Sequence, residues 1–176
     1  MFSIEEFVAD CRAAIAADVD LVSVKRVLER AVRDPAAVAA ALPVERAEIM
    51  PLCVSPELTV LKVVWAPGMS FRPHNHLMWA AIGLYAGQED NVFYRRCDAG
   101  IVESGRVSIR CGEAALLGSD TIHSVVNPLG SFTAALHVYG GDLPHRGGRS
   151  EWDEATCEEV AYDFDRAVRY FADANR

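Results

Sequence analysis

His74 and His76 stand one residue apart in "PGMSFRPHNHLMW", residues 67–79. The chain carries only five histidines in 176 residues, so two of them side by side in an apolar, turn-like stretch ask for a reason. In a strand successive side chains alternate faces, so the two imidazoles project to one side, roughly 7 Å apart at the backbone. At that spacing they can converge on one ion with Nε2–metal distances of about 2.1 Å. Met78 and Ile82 continue the same side of an unbulged strand, which sets the pair at the lip of an apolar interior. A metal site needs such a dry, defined wall. Two surface histidines on a barrel rim would show the same spacing, so a third ligand has to be found elsewhere. His123, at the end of the β-rich stretch "GEAALLGSDTIHSVVN", is the candidate. His145, in "LPHRGGRS", reads as solvent-exposed.

Short strands have to position these residues. From Leu58 to Tyr139 the runs "LTVLKVVW", "MWAAIGLYA", "NVFYRR", "GRVSIRC" and "FTAALHVY" alternate with turn signals such as "APG", "ESG", "GSD" and "NPLG". That pattern indicates a sandwich or barrel. "GQED" (87–90) is expected to be a hairpin turn between the second and third runs. Residues 1–50 read as a helical extension packed on the barrel, 51–145 as the barrel and 146–176 as a C-terminal helix, together one domain. Ser3 and Glu6 form a capping box, followed by the apolar stripe Ile4, Phe7, Val8, Cys11 and Ile15. A second helix is expected over 21–33, with Val24, Val27, Leu28 and Val32 inward. Asp34-Pro35 opens a third. The C-terminal helix is expected from Ser150 onward, capped by Ser150 or Asp153, with Val160, Phe164, Ala167, Val168 and Phe171 on its apolar side.

Composition narrows the function. Hydrophobic residues make up 51% and charged residues 24%, which marks a globular chain with a sizeable core. The formal charge of −8 argues against nucleic acid or an anionic membrane as partner, since both need a basic face. The N-terminus "MFSIEEFVAD" lacks an export pattern. The cysteines, Cys11, Cys53, Cys97, Cys111 and Cys157, are odd in number and scattered, as expected of reduced cytoplasmic thiols.

The spacing of the histidines resembles the cupin motif of the double-stranded β-helix superfamily. Gly68, five residues, His74 and His76 match its first half. Gly112, five residues, a turn at Gly118 to Asp120, then His123, three intervening residues and Asn127 match its second half. Gly118 stands where the motif has proline and Asp120 where it has glycine, both tolerated in a turn. The resemblance implies a mainly β fold: a cupin-type double-stranded β-helix barrel, here with N-terminal helices and a C-terminal helix. It covers roughly residues 58–140.

One departure carries the functional expectation. The motif places a glutamate ligand three or four residues after the second histidine. That position is Ala80 or Ala81 here, while the glycine that follows it is present as Gly87. Glu89 is nearby but falls in the expected turn. The implied metal ligands are therefore His74, His76 and His123 alone, a neutral face that leaves positions open for an anionic substrate such as a thiolate. Within cupins this resembles the cysteine dioxygenase-like thiol dioxygenases. Those enzymes also carry a strand ending in serine, apolar, histidine, apolar, tyrosine elements; here it reads Ala135-Leu136-His137-Val138-Tyr139, with alanine for the serine. The resemblance implies that His137 hydrogen-bonds Tyr139, that the tyrosine hydroxyl faces the substrate, and that Fe(II) is the cofactor, with Zn, Ni or Mn as substitutes in a purified sample. The tyrosine–cysteine crosslink of some members is not expected, because Ala80 or Ala81 occupies the cysteine position. The expected partners are O2 and a small thiol, cysteine or a mercapto-acid, and its carboxylate would need an arginine. Arg46 lies upstream of the ligand pair, Arg72 shares strand parity with His74, and Arg95 would pair with Ile82 across a turn at 87–90. A three-histidine dioxygenase of diketone-like substrates, and a cupin that binds metal or a small ligand without turnover, remain as alternatives.

Overall fold

The computed structural model describes residues 1–17 and 21–176. Three helices, α1 (Ile4–Ala17), α2 (Val22–Val32) and α3 (Pro35–Ala41), precede the strands. Residues 18–20, inside the expected helical block, lie outside the described residues. Ser3 caps α1 by accepting from the Glu6 N–H (3.2 Å), and its hydroxyl donates to the Glu5 carboxylate (3.1 Å). Asp34 caps α3 by accepting from the Ala37 N–H at 3.1 Å.

Eleven strands follow among the described residues: β1 (Glu48–Val54), β2 (Thr59–Trp65), β3 (Ser70–Asn75), β4 (Ala80–Ala86), β5 (Gln88–Cys97), β6 (Gly100–Arg110), β7 (Ala114–Leu117), β8 (Ile122–Val126), β9 (Thr133–Tyr139), β10 (Ser150–Trp152) and β11 (Glu159–Ala161). They form two antiparallel sheets, ordered β1-β2-β9-β4-β7 and β11-β10-β3-β8-β5-β6. Consecutive strands from β2 to β5 alternate between the sheets, so the chain winds as a double-stranded β-helix, the jelly-roll solution to unpaired strand edges.

The helices cover the outer face of the first sheet. Phe7, Cys11, Val24, Leu28 and Val32 bury against Val60, Val64, Ala81, Ala134 and Val138. Gly83 permits the approach, because a Cβ there would meet Leu28 Cδ2 at 3.0 Å and Val32 Cγ1 at 3.1 Å. The inner core is separate: Leu61, Val63, Trp65, Phe71, Ile82, Leu84, Val125 and Tyr139 fill the barrel. No helix among the described residues is long and apolar enough to cross a membrane.

Two expectations are corrected. Residues 87–90 are not a hairpin turn. β4 and β5 lie in different sheets, and the chain crosses at Gly87 alone (φ +73°), where a Cβ would sit 2.2 Å from Thr133 Oγ1. Glu89 is thereby a strand residue opposite Ile109, fully buried. The C-terminal helix does not begin at Ser150. Residues 150–152 extend the second sheet, with Glu151 opposite His74, and pair with β11. Buried Glu151 accepts from Arg72 (3.2 Å) and forms an ion pair with Arg166 (2.9 Å), a tertiary pairing that overrides the helical pattern. The helix, α4 (Phe164–Asp173), is capped by Asp163, which accepts from the Arg166 N–H at 3.0 Å. Val160 is exposed on β11, while Ala167 and Phe171 enter the barrel core. Phe171 packs on Trp65 with ring centroids 4.7 Å apart, so α4 closes one mouth of the barrel.

Candidate metal centre

β3 and β8 pair with His74 opposite His123, and His76 follows the end of β3. One ligand-capable atom from each of the three residues lies within 4.8 Å of the others, and all three are buried. His74 Nε2 and His76 Nε2 are 3.2 Å apart. Two nitrogens bound cis to one ion at about 2.1 Å stand roughly 3 Å apart, so this spacing suits a shared metal.

Hydrogen bonds on the far ring atoms settle which nitrogens face inward. His74 Nδ1–H donates to the Arg72 carbonyl (3.0 Å), leaving its Nε2 lone pair toward the cluster. His123 Nδ1 lies 2.7 Å from Asn91 Oδ1, and its Nε2 is buried without a partner. An orphaned nitrogen beside two other imidazoles is what a ligand position looks like before the ion is present. Burial, and after it repulsion with neighbouring cationic groups, holds His74 and His76 well below the usual histidine range. Burial brings His123 down to about 4, with the Glu89 charge opposing it. Neutral imidazole is the form that ligates a metal.

These depressed values predict an acid sensitivity of the metal-free chain. The unfolded chain binds protons near pH 6.5 that the native cluster refuses, so stability is present above that pH and falls as pH drops toward 4. The His123 shift alone corresponds to about 3 kcal/mol. Urea midpoints of the metal-free protein should fall steadily from about pH 7 to about pH 4, and a flat profile would mean the imidazoles are solvated.

Among the described residues, no carboxylate joins the three histidines. Ala80 is fully buried among the inner-core residues. The Glu89 carboxylate is occupied elsewhere, accepting from Trp65 Nε1–H and Asn91 Nδ2–H, each at 3.1 Å. Burial alone would raise its pKa, but the His137 imidazole and the Asn91 amide outweigh burial and hold it below the usual carboxylate range. His137 Nδ1 and the Tyr139 hydroxyl are 3.0 Å apart. The Tyr139 ring stands edge-on to His76 with centroids 5.0 Å apart. Both residues line the cavity of about 40 Å³ that the three clustered histidines also line.

The three arginines singled out in the sequence do not reach this cavity. Arg46 is exposed and pairs with Glu48. Arg72 is turned outward onto Glu151, because a bulge between Phe71 and His74 breaks the parity that would have turned it in. Arg95 is exposed and opposes Val102 on β6 rather than Ile82, since β4 and β5 do not pair. The cation that lines the cavity is Arg149, only 5% exposed. Its Nε donates to the Asn75 carbonyl (3.1 Å) and one terminal nitrogen to the Leu143 carbonyl (3.2 Å). Its guanidinium lies 3.8 Å from the centre of the Tyr162 ring. Neither residue is signalled by the sequence: Arg149 sits in a Gly-rich loop and Tyr162 just before α4, and only the return of residues 149–152 onto β3 brings them in. His145 is exposed and pairs with Asp142. All five cysteines are free, and Cys11, pushed up to about 12 by burial, lies under the helices rather than in the barrel.

No family model matches the chain, and no curated protein does. Among solved structures, the Bacillus halodurans protein BH2720 is 14% identical with a TM-score of 0.52, over 59% of this chain and 77% of that one. A conserved Klebsiella pneumoniae protein with a double-stranded β-helix domain is 12% identical with a TM-score of 0.48, over 61% and 81%. An oxalate oxidase in complex with the substrate analogue glycolate is 17% identical with a TM-score of 0.44, over 53% of this chain and 45% of that one. The strand order gives the chain a double-stranded β-helix fold, carrying a buried three-histidine cluster suited to a metal ion.

Proposed function

We propose that the chain is a non-haem Fe(II) dioxygenase that converts a small carboxylate-bearing thiol to its sulfinate. The observation that carries this reading is a buried cluster of three neutral histidines, with alanine where a cupin glutamate would stand, sharing one cavity with the His137–Tyr139 pair. The reaction balances as one thiolate and one O2 giving one sulfinate. Bound Fe(II) would supply the redox chemistry that joins oxygen to sulfur, and three uncharged ligands leave its full charge to attract the thiolate.

The remaining work falls to the chain's own groups. Tyr139 offers a hydroxyl to the bound ligand. Arg149, held by two carbonyls and the Tyr162 ring, supplies the cation for the carboxylate. Phe71, Phe164 and Phe171 wall the cavity and exclude water, which strengthens every polar contact inside it. The cavity's small volume favours a small substrate. The arginine favours a thiol acid over a diketone, which brings no carboxylate.

Anaerobic Fe(II) loading followed by oxygen-uptake measurements against a panel of thiols tests the reading. Stoichiometric oxygen consumption with sulfinate product is expected. Bound metal with no oxygen uptake for any thiol would leave a non-catalytic metal-binding cupin, which the closed cavity also suits. Arg149→Lys should raise KM about tenfold for a mercapto-acid, in line with weakening one charge-assisted pair. It should barely change KM for a thiol without a carboxylate. Equal losses on both would make Arg149 a fastener of the 149–152 segment only.

A further inference from the structure

Glu89 is a fully buried carboxylate that the proposed chemistry does not use. It stands between the metal ligands and the tyrosine. One oxygen, Oε1, accepts from Asn91 Nδ2–H, and the other, Oε2, accepts from Trp65 Nε1–H. Oε2 also lies 3.5 Å from His137 Nε2, a wholly buried nitrogen with no hydrogen-bond partner. We infer that Glu89 is the positioning residue of the site: its carboxylate fixes the tautomers of both His123 and His137, and thereby turns the Tyr139 oxygen toward the ligand as a hydrogen-bond acceptor.

The direction of each bond follows from one fact: an ionised carboxylate only accepts. Asn91 must turn its NH2 toward Glu89, so its Oδ1 faces His123 Nδ1 at 2.7 Å and can be satisfied only by an N–H there. The lone pair of His123 is then left on Nε2, toward the other two imidazoles. On the other branch, a lone pair on His137 Nε2 would face the Oε2 charge in a buried site, which is repulsive. Placing the hydrogen on Nε2 makes the contact attractive and leaves Nδ1 as an acceptor. The Tyr139 hydroxyl then donates to Nδ1 across 3.0 Å. Its hydrogen points away from the cavity and its free lone pairs point in. The ligand group that meets Tyr139 is therefore a donor, an ammonium or a bound water rather than a second anion. The depressed pKa of Glu89 agrees with an ionised carboxylate. Alanine at position 135 offers His137 no hydroxyl, while Glu89 reaches it from another strand.

The inference rests on the thiol dioxygenase reading for the identity of the ligand, but not for the hydrogen-bond directions. ¹⁵N NMR of the metal-free full chain, labelled at histidine, reads the tautomers directly. In the unmutated chain His137 should be protonated at Nε2 and unprotonated at Nδ1. In Glu89→Gln, whose amide presents no charge, His137 should become a mixture of both tautomers. Turnover of the best thiol by that variant, expressed per bound Fe(II), should fall about tenfold. A hydrogen on His137 Nδ1 in the unmutated chain would overturn the inference, even if the variant cannot be folded. So would a Glu89→Gln chain with an unchanged tautomer or undiminished turnover. If no thiol is oxidised by any form, the dioxygenase reading fails, and the tautomer measurement still decides the role of Glu89.

Discussion

Replacing His74 with alanine is expected to abolish the Fe(II) binding proposed for the three-histidine cluster. His74 is one of three convergent imidazoles, and among the described residues no carboxylate stands by to take its place. Losing an outer hydrogen-bond partner of a ligand typically weakens metal affinity 10- to 100-fold, so losing the ligand itself should cost at least about 100-fold. The loss should be a loss of metal rather than of fold. The His74 ring meets the Arg72 carbonyl and His76 Nε2, and the strand around it is held by backbone pairing to β8 and β10. Far-ultraviolet circular dichroism should therefore match the unmutated chain, while iron content after anaerobic reconstitution drops to background. Stoichiometric iron in His74→Ala would show that the cluster is a packed group of neutral histidines and not a metal centre.

Tyr139→Phe should leave iron bound and abolish most turnover. The substitution keeps the ring that packs on His76 and removes one oxygen. His137 Nδ1 then loses its partner inside the core, at a cost of about 1 kcal/mol in stability, too little to unfold a domain of this size. A single positioned polar group usually contributes 10- to 1000-fold to a rate, so sulfinate formation should fall within that range. KM should change less than kcat, because the hydroxyl acts next to the reacting centre rather than on the carboxylate. Undiminished sulfinate formation would reduce His137 and Tyr139 to a satisfied core pair with no part in the chemistry.

The barrel was legible in the chain because its signals are local. Short β-branched runs, the turn glycines and the H-x-H pair follow from strand periodicity and backbone conformation. Each of these is written in a few consecutive residues. Helix α3 was equally plain, since Asp34-Pro35 carries its own cap. The turn at 87–90 and the long C-terminal helix were misread for a shared reason. Gly87 says that the backbone bends, but whether it returns to the same sheet or crosses to the other depends on β7, β8 and β9, far along the chain. Residues 150–162 have helical composition, yet Glu151 is drawn into the second sheet by Arg72 and Arg166, neither adjacent to it in sequence.

The same division runs through the site. The spacing of His74, His76 and His123 could be read from the chain alone, because a motif tied to strand pairing brings ligands together at fixed offsets. The cation and the carboxylate could not. Arg72 has the right parity on paper, and a bulge turns it out; Arg149 has no local signal, and a returning edge strand turns it in. Glu89 is placed within reach of Trp65, Asn91 and His137 only by the sheet crossing at Gly87. Sequence specified which groups can bind a metal, since ligation depends on residue type and short-range spacing. Tertiary structure alone decided which charges are buried beside them, since burial is a property of segments that meet from opposite ends of the chain.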